Sequence, residues 1–231
     1  MSETTKTKEQ LKEEFIKNRG YWSKFWEDVL ELDSNVFSTY SRFSSVPSKN
    51  NALSPKIREF IYIAIDASTT HLYLPGLKLH MENALALGAT RDEIMEVLEL
   101  TSVLGIHTCT MGVPILMDEL RKMGRGDEVD NIEYGDHEKA LKESFIKNRG
   151  YWSPFWDDML KLSPEFFECY LDFSSVPWKS GTLEPKVKEF IYIAIDTATT
   201  HLHEEGARIH IRNALNLSLI HISEPTRLRT I

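Results

Sequence analysis

The stretch SPKIREFIYIAIDASTTHLYLPGLKLH (residues 54–80) predicts two helices joined by a turn. Its first half places apolar residues at helical spacing after a serine–proline pair, a typical N-cap followed by a typical first helical residue. The helical pattern restarts near Pro75, and a histidine stands on each side of this break, His71 and His80. Helical spacing continues along the chain without the alternation of a strand, so the sequence predicts an all-α fold.

A large part of the chain occurs twice. Residues 11–87 align with residues 141–217 at a constant offset of 130, without a gap, and 46 of the 77 aligned positions are identical. The octapeptide EFIYIAID, for example, stands at both 59–66 and 189–196. Self-similarity of this kind indicates a tandem duplication of one helical unit.

The predicted organisation is a first repeat over 1–123, an acidic linker with glycines over 124–138, and an incomplete second repeat over 139–217. From residue 217 the chain continues LSLIHISEPTRLRTI, where the first repeat has a capping box and a long amphipathic helix. The segment LSLIHISEPTR resembles an in-frame translation of a transposase-type sequencing adapter. Residues 218–231 are therefore interpreted as a non-native tail, with a divergent natural tail as the alternative.

Composition narrows the function. The chain carries 27 Lys and Arg against 35 Asp and Glu, a net charge of −8, which argues against nucleic acid and anionic membranes as partners. The start is polar and no apolar run is expected to reach membrane length, so a cytoplasmic location is predicted. The only cysteines, Cys109 and Cys169, form no Cys-x-x-Cys pair, which disfavours a dithiol redox centre and a structural zinc site.

The candidate site lies around the turn between the first two helices. Glu59 and Asp66 share a helix face, and an antiparallel pair of helices is expected to bring Glu59, His71 and His80 around one pocket. Each has a structural alternative: the histidines as caps or core residues, Glu59 as a surface partner of Arg58, and Asp66 as a hydrogen-bonded core group. The nine-residue histidine spacing matches no zinc pattern, so no metal site is predicted.

Residues 58–100, REFIYIAIDASTTHLYLPGLKLHMENALALGATRDEIMEVLEL, resemble the carboxymuconolactone decarboxylase family, which includes the alkylhydroperoxidase D-like proteins. The resemblance covers about residues 55–121 and again 185–217. It implies an all-α fold assembled as trimers or hexamers. A tandem chain is then expected to form a homo-oligomer such as a trimer.

The resemblance leaves three functions open. The peroxidase branch uses Cys-x-x-Cys, but this chain has His71 and Leu74 in one register, or Tyr73 and Gly76 in the other. An alkylhydroperoxidase-like antioxidant activity is therefore the disfavoured alternative, since it needs a reactive thiolate. A non-catalytic oligomeric binding protein is the other alternative.

The decarboxylase branch implies a cofactor-free carboxy-lyase acting on a small carboxylated lactone or related acid. In this interpretation His80 donates the proton, Glu59 is its partner or the acid, and His71 contacts the substrate. Lys78 and Tyr73 are the predicted substrate-binding residues. The equivalent residues of the second repeat are Glu189, His201, His210 and Arg208.

Overall fold

The computed structural model describes residues 6–49 and 52–223, which contain helices and no β-strand. The predicted all-α fold is confirmed. The helices are α1 (Lys8–Arg19), α2 (Lys24–Leu32), α3 (Ser34–Ser44), α4 (Val46–Lys49), α5 (Pro55–Ala67), α6 (Leu74–Ala86), α7 (Arg91–Ser102), α8 (His107–Lys122), α9 (Asp127–Asp130), α10 (Asp136–Arg149), α11 (Phe155–Leu162), α12 (Pro164–Ser180), α13 (Pro185–Thr197) and α14 (Glu204–Ser223). A 3₁₀ turn, Val103–Ile106, joins α7 to α8.

Local sequence signals account for the helix starts nearest the candidate site. The Ser54 hydroxyl accepts a hydrogen bond from the Ile57 amide at 3.3 Å, which satisfies one of the free amides at the start of α5. At the start of α7, Thr90 and Glu93 form a reciprocal capping box, with bonds of 3.1 and 2.8 Å. These caps fix where α5 and α7 begin, and so fix the register of the face that each helix buries.

The largest hydrophobic core is shared by the two halves of the chain. It contains buried residues from α5 through the 3₁₀ turn after α7, together with residues that precede or belong to α13: Phe60, Ile63, Ala64, Ala84, Ala89, Ile94, Val97, Leu100, Val103, Leu104, Leu183, Val187, Ile191, Tyr192 and Ile195. Because α5 and α13 pack against each other here, the two repeats share this core. The division into repeats stays a prediction from the sequence.

Each half also has an aromatic cluster near its start. Phe15 in the first half and Phe145 in the second are each ringed by a tyrosine and two tryptophans. The second cluster is also covered by Ile106 and Cys109, which come from the first half. The closing segment α7–α8 of the first repeat thus packs on the second repeat.

A continuous segment, Arg91–Lys122, is long and apolar enough by length and composition to cross a membrane. The expectation that no apolar stretch reaches membrane length is therefore corrected. In this fold the segment supplies Val97, Leu100 and Met117 to the interior. A core helix of a soluble protein passes the same test, so the segment is weak evidence for a membrane span.

The predicted linker and tail take the following form. Within 124–138 lies the single helical turn α9, and α10 begins before the linker was predicted to end. Helix α14 continues through Ser223, so the first part of the predicted tail 218–231 is helical backbone. The remainder of that tail, 224–231, lies outside the described residues.

Candidate functional site

A histidine–glutamate pair joins α5 to α6. The Nδ1 atom of His80 lies 2.7 Å from Oε2 of Glu59, and the two side chains are only 10% and 12% exposed. The amide of Asn83, one turn further along α6, donates to the same carboxylate at 3.3 Å. The sequence prediction that Glu59 and His80 meet rested on an antiparallel helix pair, and this is how the structure arranges them.

Aromatic and basic residues from α1, the turn that follows it and α5 surround this pair. The ring of Tyr62 stacks on His80, with centroids 4.5 Å apart, and Tyr21 meets the same imidazole edge-on at 6.3 Å. Arg19 donates hydrogen bonds to the Tyr62 and Tyr21 hydroxyls at 3.3 and 3.4 Å. It also donates to the Ser44 carbonyl at 3.1 Å, which anchors the guanidinium.

The second repeat carries an equivalent arrangement. His210 Nδ1 lies 2.6 Å from Glu189 Oε2, and Asn213 donates to Glu189 at 3.3 Å. Tyr192 stacks on His210 with centroids 4.5 Å apart. Arg149 donates to the Ser174 carbonyl at 2.9 Å, as Arg19 does to the matching serine.

Sequence reasoning missed several members of this group. Arg19, Tyr21, Tyr62 and Asn83 were not among the predicted site residues, although all four are identical in the two repeats, at an offset of 130. Identity between the two repeats is the signal that could have found them. Buried apolar residues are expected in any core, so a polar residue that is identical in both repeats is the stronger indication of a functional site. Their convergence depends on contacts between α1, α5 and α6.

His71 does not join Glu59 and His80. Its Nε2 atom lies 3.7 Å from Asp66 Oδ1. Tyr73 precedes α6, is half exposed, and donates its backbone N–H to the Asp66 carbonyl at 2.9 Å. The expected pocket of Glu59, His71 and His80 is therefore replaced by two neighbouring groups, one around Glu59 and one around Asp66.

The N-terminus of α6 faces a carboxylate of the protein itself. A Cβ atom at Gly76 would overlap Asp66 Oδ2, and one at Gly206 would overlap Asp196 Oδ2, so glycine allows this approach in both repeats. The preceding turn holds Leu72 at φ 49°, a left-handed conformation that is rare for leucine. This turn is thus shaped so that an aspartate sits against the positive end of the next helix.

The predicted cations lie elsewhere. Lys78 is exposed on α6 and lies 3.9 Å from Glu82. Arg208 is exposed on α14 and donates to Glu204. Neither belongs to the group around the histidine–glutamate pair, where Arg19 and Arg149 are the basic residues instead.

A second histidine cluster forms where the first repeat's closing segment meets the second repeat. His107 Nδ1 lies 2.6 Å from His201 Nε2 and 3.8 Å from Asp196 Oδ1. The His203 ring stacks on His107 with centroids 3.7 Å apart, and its Nδ1 accepts the Gly206 amide at 3.1 Å. His107 is not among the predicted site residues, but it lies among groups able to bind a ligand.

Burial controls the ionisation of this cluster. It lowers the pKa of His107 to about 3, helped by the neighbouring His203 and His201. It raises the pKa of the Asp196 carboxyl to about 7, against the opposing influence of His210. Burial also lowers the pKa of His201 and of His203. The imidazoles are therefore held neutral, while the aspartate charge is disfavoured.

The two repeats offer cavities of different size. In the first repeat a cavity of about 260 Å³ is lined by Arg19, Tyr21, Arg58, Glu59, Tyr62 and Asn83, among others. In the second repeat a cavity of about 40 Å³ lies between His107, Asp196 and His210. The first has room for a small organic molecule and the second for little more than water.

The cysteines do not supply a dithiol. Cys109 on α8 is partly buried, Cys169 on α12 is exposed, and both are free thiols. Neither lines the cavity that holds Glu59 or the one that holds His210. The geometry of the described residues thus offers no attacking and resolving thiol at either histidine–glutamate pair.

Comparisons with known proteins agree with the helical fold. The model of the carboxymuconolactone decarboxylase family matches residues 36–105. A crystal structure from Burkholderia xenovorans LB400, named a "putative gamma-carboxymuconolactone decarboxylase subunit", is 43% identical and superposes with a TM-score of 0.84, covering 91% of this chain and 84% of that one. A comparison with curated proteins gives no match. The likeness to the solved structure extends well beyond the family-model match, and the chain belongs to the carboxymuconolactone decarboxylase family.

Proposed function

We propose that this protein is a carboxy-lyase that removes carbon dioxide from a small carboxylated lactone or a related acid. The observation that carries the proposal is the largely buried His80–Glu59 hydrogen bond, whose glutamate lines a cavity together with arginine and tyrosine. The same five residue types, histidine, glutamate, asparagine, tyrosine and arginine, recur around His210 and Glu189. Family membership and the printed name of the Burkholderia protein support the same reaction class.

The histidine–glutamate pair is suited to proton transfer. Since Nδ1 of His80 faces Glu59, the Nε2 atom remains for the substrate. The carboxylate stabilises the protonated imidazole, which then serves as a general acid. When the bond between the ring carbon and the carboxylate breaks, its electron pair passes into the lactone carbonyl and carbon dioxide leaves. His80 protonates the carbon, and the histidine regains its proton from water.

The tyrosines are placed to stabilise the negative oxygen that forms during this step. Each hydroxyl, of Tyr21 and of Tyr62, accepts a hydrogen bond from Arg19 and so keeps its own proton to donate. Such fixed donors act strongly on a developing oxyanion in a partly desolvated site. Arg58 lines the same cavity and supplies a positive charge for a substrate carboxylate.

The size of the cavities favours the first repeat as the reacting site. A volume of about 260 Å³ lies near the lower end of the range for small-molecule sites. The 40 Å³ cavity beside His210 is too small for a lactone. We therefore expect His80 to carry the turnover, and His210 to contribute little to it.

The test is carbon dioxide release from carboxylated lactones by the full chain and two matched variants. His80→Gln is expected to lower kcat by about 10²-fold or more, because a positioned general acid contributes 10²–10⁴-fold. His210→Gln is expected to retain most of the activity. Turnover that survives His80→Gln would remove His80 as the proton donor, and no release from any carboxylated lactone by the wild type would favour the binding-protein alternative.

A further inference from the structure

The cluster of His107, Asp196 and His201 joins the two halves of the chain. His107 begins α8 of the first half, Asp196 lies near the end of α13, and His201 lies in the turn that follows. Each residue offers one ligand atom, and the three atoms all lie within 4.8 Å of one another. We infer that these three residues bind one divalent transition-metal ion, which links the closing segment of the first repeat to the second repeat.

The donor set fits such an ion. Two imidazoles and one carboxylate are ligands that zinc and its neighbours in the first transition row accept, and three protein ligands leave a fourth position for water. The adjoining cavity of about 40 Å³ has room for that water.

An unpartnered carboxylate oxygen supports the inference independently. Asp196 is 3% exposed, and its Oδ2 atom has no hydrogen-bond partner among the described residues. Burying a carboxylate without a cation or hydrogen-bond donors costs free energy, and most buried carboxylate oxygens in native proteins have a hydrogen-bond partner. A cation in the cluster supplies the missing charge.

The spacing of the ligand atoms agrees with this assignment after a small adjustment. Two nitrogens that bind one tetrahedral zinc at about 2.0–2.1 Å lie about 3.3 Å apart. His107 Nδ1 and His201 Nε2, at 2.6 Å, share a proton in the metal-free arrangement. A change of tautomer in one ring frees both lone pairs, and an opening of less than about 1 Å admits the ion.

The first repeat provides a matched comparison. His71 stands at the position of His201, and its Nε2 lies 3.7 Å from Asp66. No third histidine or carboxylate completes this pair into a metal-binding group among the described residues. Position 73 is tyrosine, where the second repeat has His203. The inference therefore concerns the second repeat alone, and it does not rest on the proposed lyase activity.

The experiment measures zinc binding to the full chain, free of any affinity tag and stripped with a chelator, by calorimetry and metal analysis. The wild type is expected to bind one Zn²⁺ with a rise in Tm, and Co²⁺ is expected to give the visible spectrum of a four-coordinate ion. His201→Ala, in a partly exposed turn, is expected to weaken binding by at least about 100-fold, since even outer partners of metal ligands contribute 10–100-fold.

Asp196→Asn is a second ligand variant, chosen because it preserves shape, and it should also weaken Zn²⁺ binding and abolish the rise in Tm. His71→Ala is the control and should bind Zn²⁺ as the wild type does. Three results would overturn the inference: a wild type that binds no Zn²⁺, a His201→Ala protein that binds it equally well, or a His71→Ala protein that loses it to the same extent. Circular dichroism establishes that each variant is folded.

Discussion

The carboxylate of Glu96 lies 2.8 Å from the ammonium of Lys188, with both side chains almost completely buried at the junction of the two repeats. The other carboxylate oxygen of Glu96 accepts the backbone amides of Thr182 and Leu183, the latter at 2.8 Å. Lys188 also donates to the Pro177 carbonyl. A Cβ atom at Gly181 would overlap the Glu96 carboxylate, so only glycine leaves room for this contact.

Breaking this ion pair should destabilise the fold strongly. Glu96→Gln keeps an acceptor for the two amides but leaves Lys188 as an unpaired buried charge, which costs about 3–5 kcal/mol when one partner of such a pair is removed. Urea denaturation of the full chain measures the change in the free energy of unfolding. Adding Lys188→Met to the first variant should restore part of the loss, because the unpaired charge is then gone.

Arg58 provides the control for this prediction. It occupies the position of Lys188 in the first repeat, is only partly buried, and donates to the Leu53 carbonyl at 2.8 Å. Arg58→Met should cost less than about 1 kcal/mol, in the range of ordinary surface changes. A loss for Arg58→Met as large as that for Glu96→Gln would contradict the buried pair as the source of the effect.

Much of the helical framework was predictable from the sequence because its signals are local. The Ser54 cap, the Thr90 capping box and the spacing of Glu59, Ile63 and Asp66 depend on neighbours within one or two turns. The pairing of Glu59 with His80 followed from one further assumption, that two helices joined by a short turn lie antiparallel. Both members of this pair lie within the 27 consecutive residues 54–80.

The rest of the site could not be predicted in this way because it depends on contacts across the chain. Arg19 reaches Tyr62 from α1, and His107 reaches His201 from the other repeat. Helical periodicity tells which face of a helix is buried but not which distant helix covers it. Lys78 is close to His80 in sequence, yet its side chain is exposed and lies 3.9 Å from Glu82.

The roles of Arg19 and Lys78 can be separated by kinetics. We expect Arg19→Gln to lower kcat, because Tyr21 and Tyr62 then lose the guanidinium that orients their hydroxyls, and one such donor is worth about 10²-fold. Lys78→Ala should leave kcat and KM nearly unchanged, since this exposed residue lies outside the cavity. A large increase in KM for Lys78→Ala would support the sequence-based prediction that Lys78 binds the substrate.

The thiols should be dispensable for turnover. Replacing both Cys109 and Cys169 by serine is expected to leave lyase activity within about twofold of the wild type, because neither thiol lines the cavity around Glu59. The same double variant is the test of the antioxidant alternative, which needs a reactive thiolate. Hydroperoxide reduction by the wild type that disappears in the double variant would establish a thiol-based activity that the present geometry does not favour.

The exposed apolar face of α2 and α3 is expected to mediate self-association. Phe25 and Phe43 are 59% and 76% exposed, and Phe43 shares a shallow groove with Val36 and Tyr40. Apolar patches of this kind commonly mark interfaces. Phe43→Glu should reduce the molar mass measured by light scattering, whereas Phe173→Glu, at the equivalent position of the second repeat, is the control. A wild-type mass equal to one chain would contradict the expected homo-oligomer.

Asp196 should make stability depend on pH in the metal-free protein. Its pKa is about 7 in the folded chain and near the ordinary 3.8 when unfolded, so the folded state holds the proton more tightly between these values. Stability contributed by the protonated carboxyl is therefore present at low pH and lost as pH rises toward 7, by about 1.4 kcal/mol per pH unit. The pKa of His107 is lowered to about 3 in the folded chain, so this residue makes the folded state more stable as pH rises from 3 toward 6.5, the opposite of the effect of Asp196.

Comparison with Asp196→Asn isolates the aspartate, since His107 is present in both proteins. With a chelator present, we expect the variant to gain stability relative to the wild type as pH rises from 4 to 7, and the difference to level off above 7. Urea denaturation at closely spaced pH values measures it. A difference that does not change with pH would show that the Asp196 carboxyl ionises at its ordinary pKa. Saturating Zn²⁺ should make the wild type more stable than Asp196→Asn at pH 8, because the wild-type carboxylate then binds the ion.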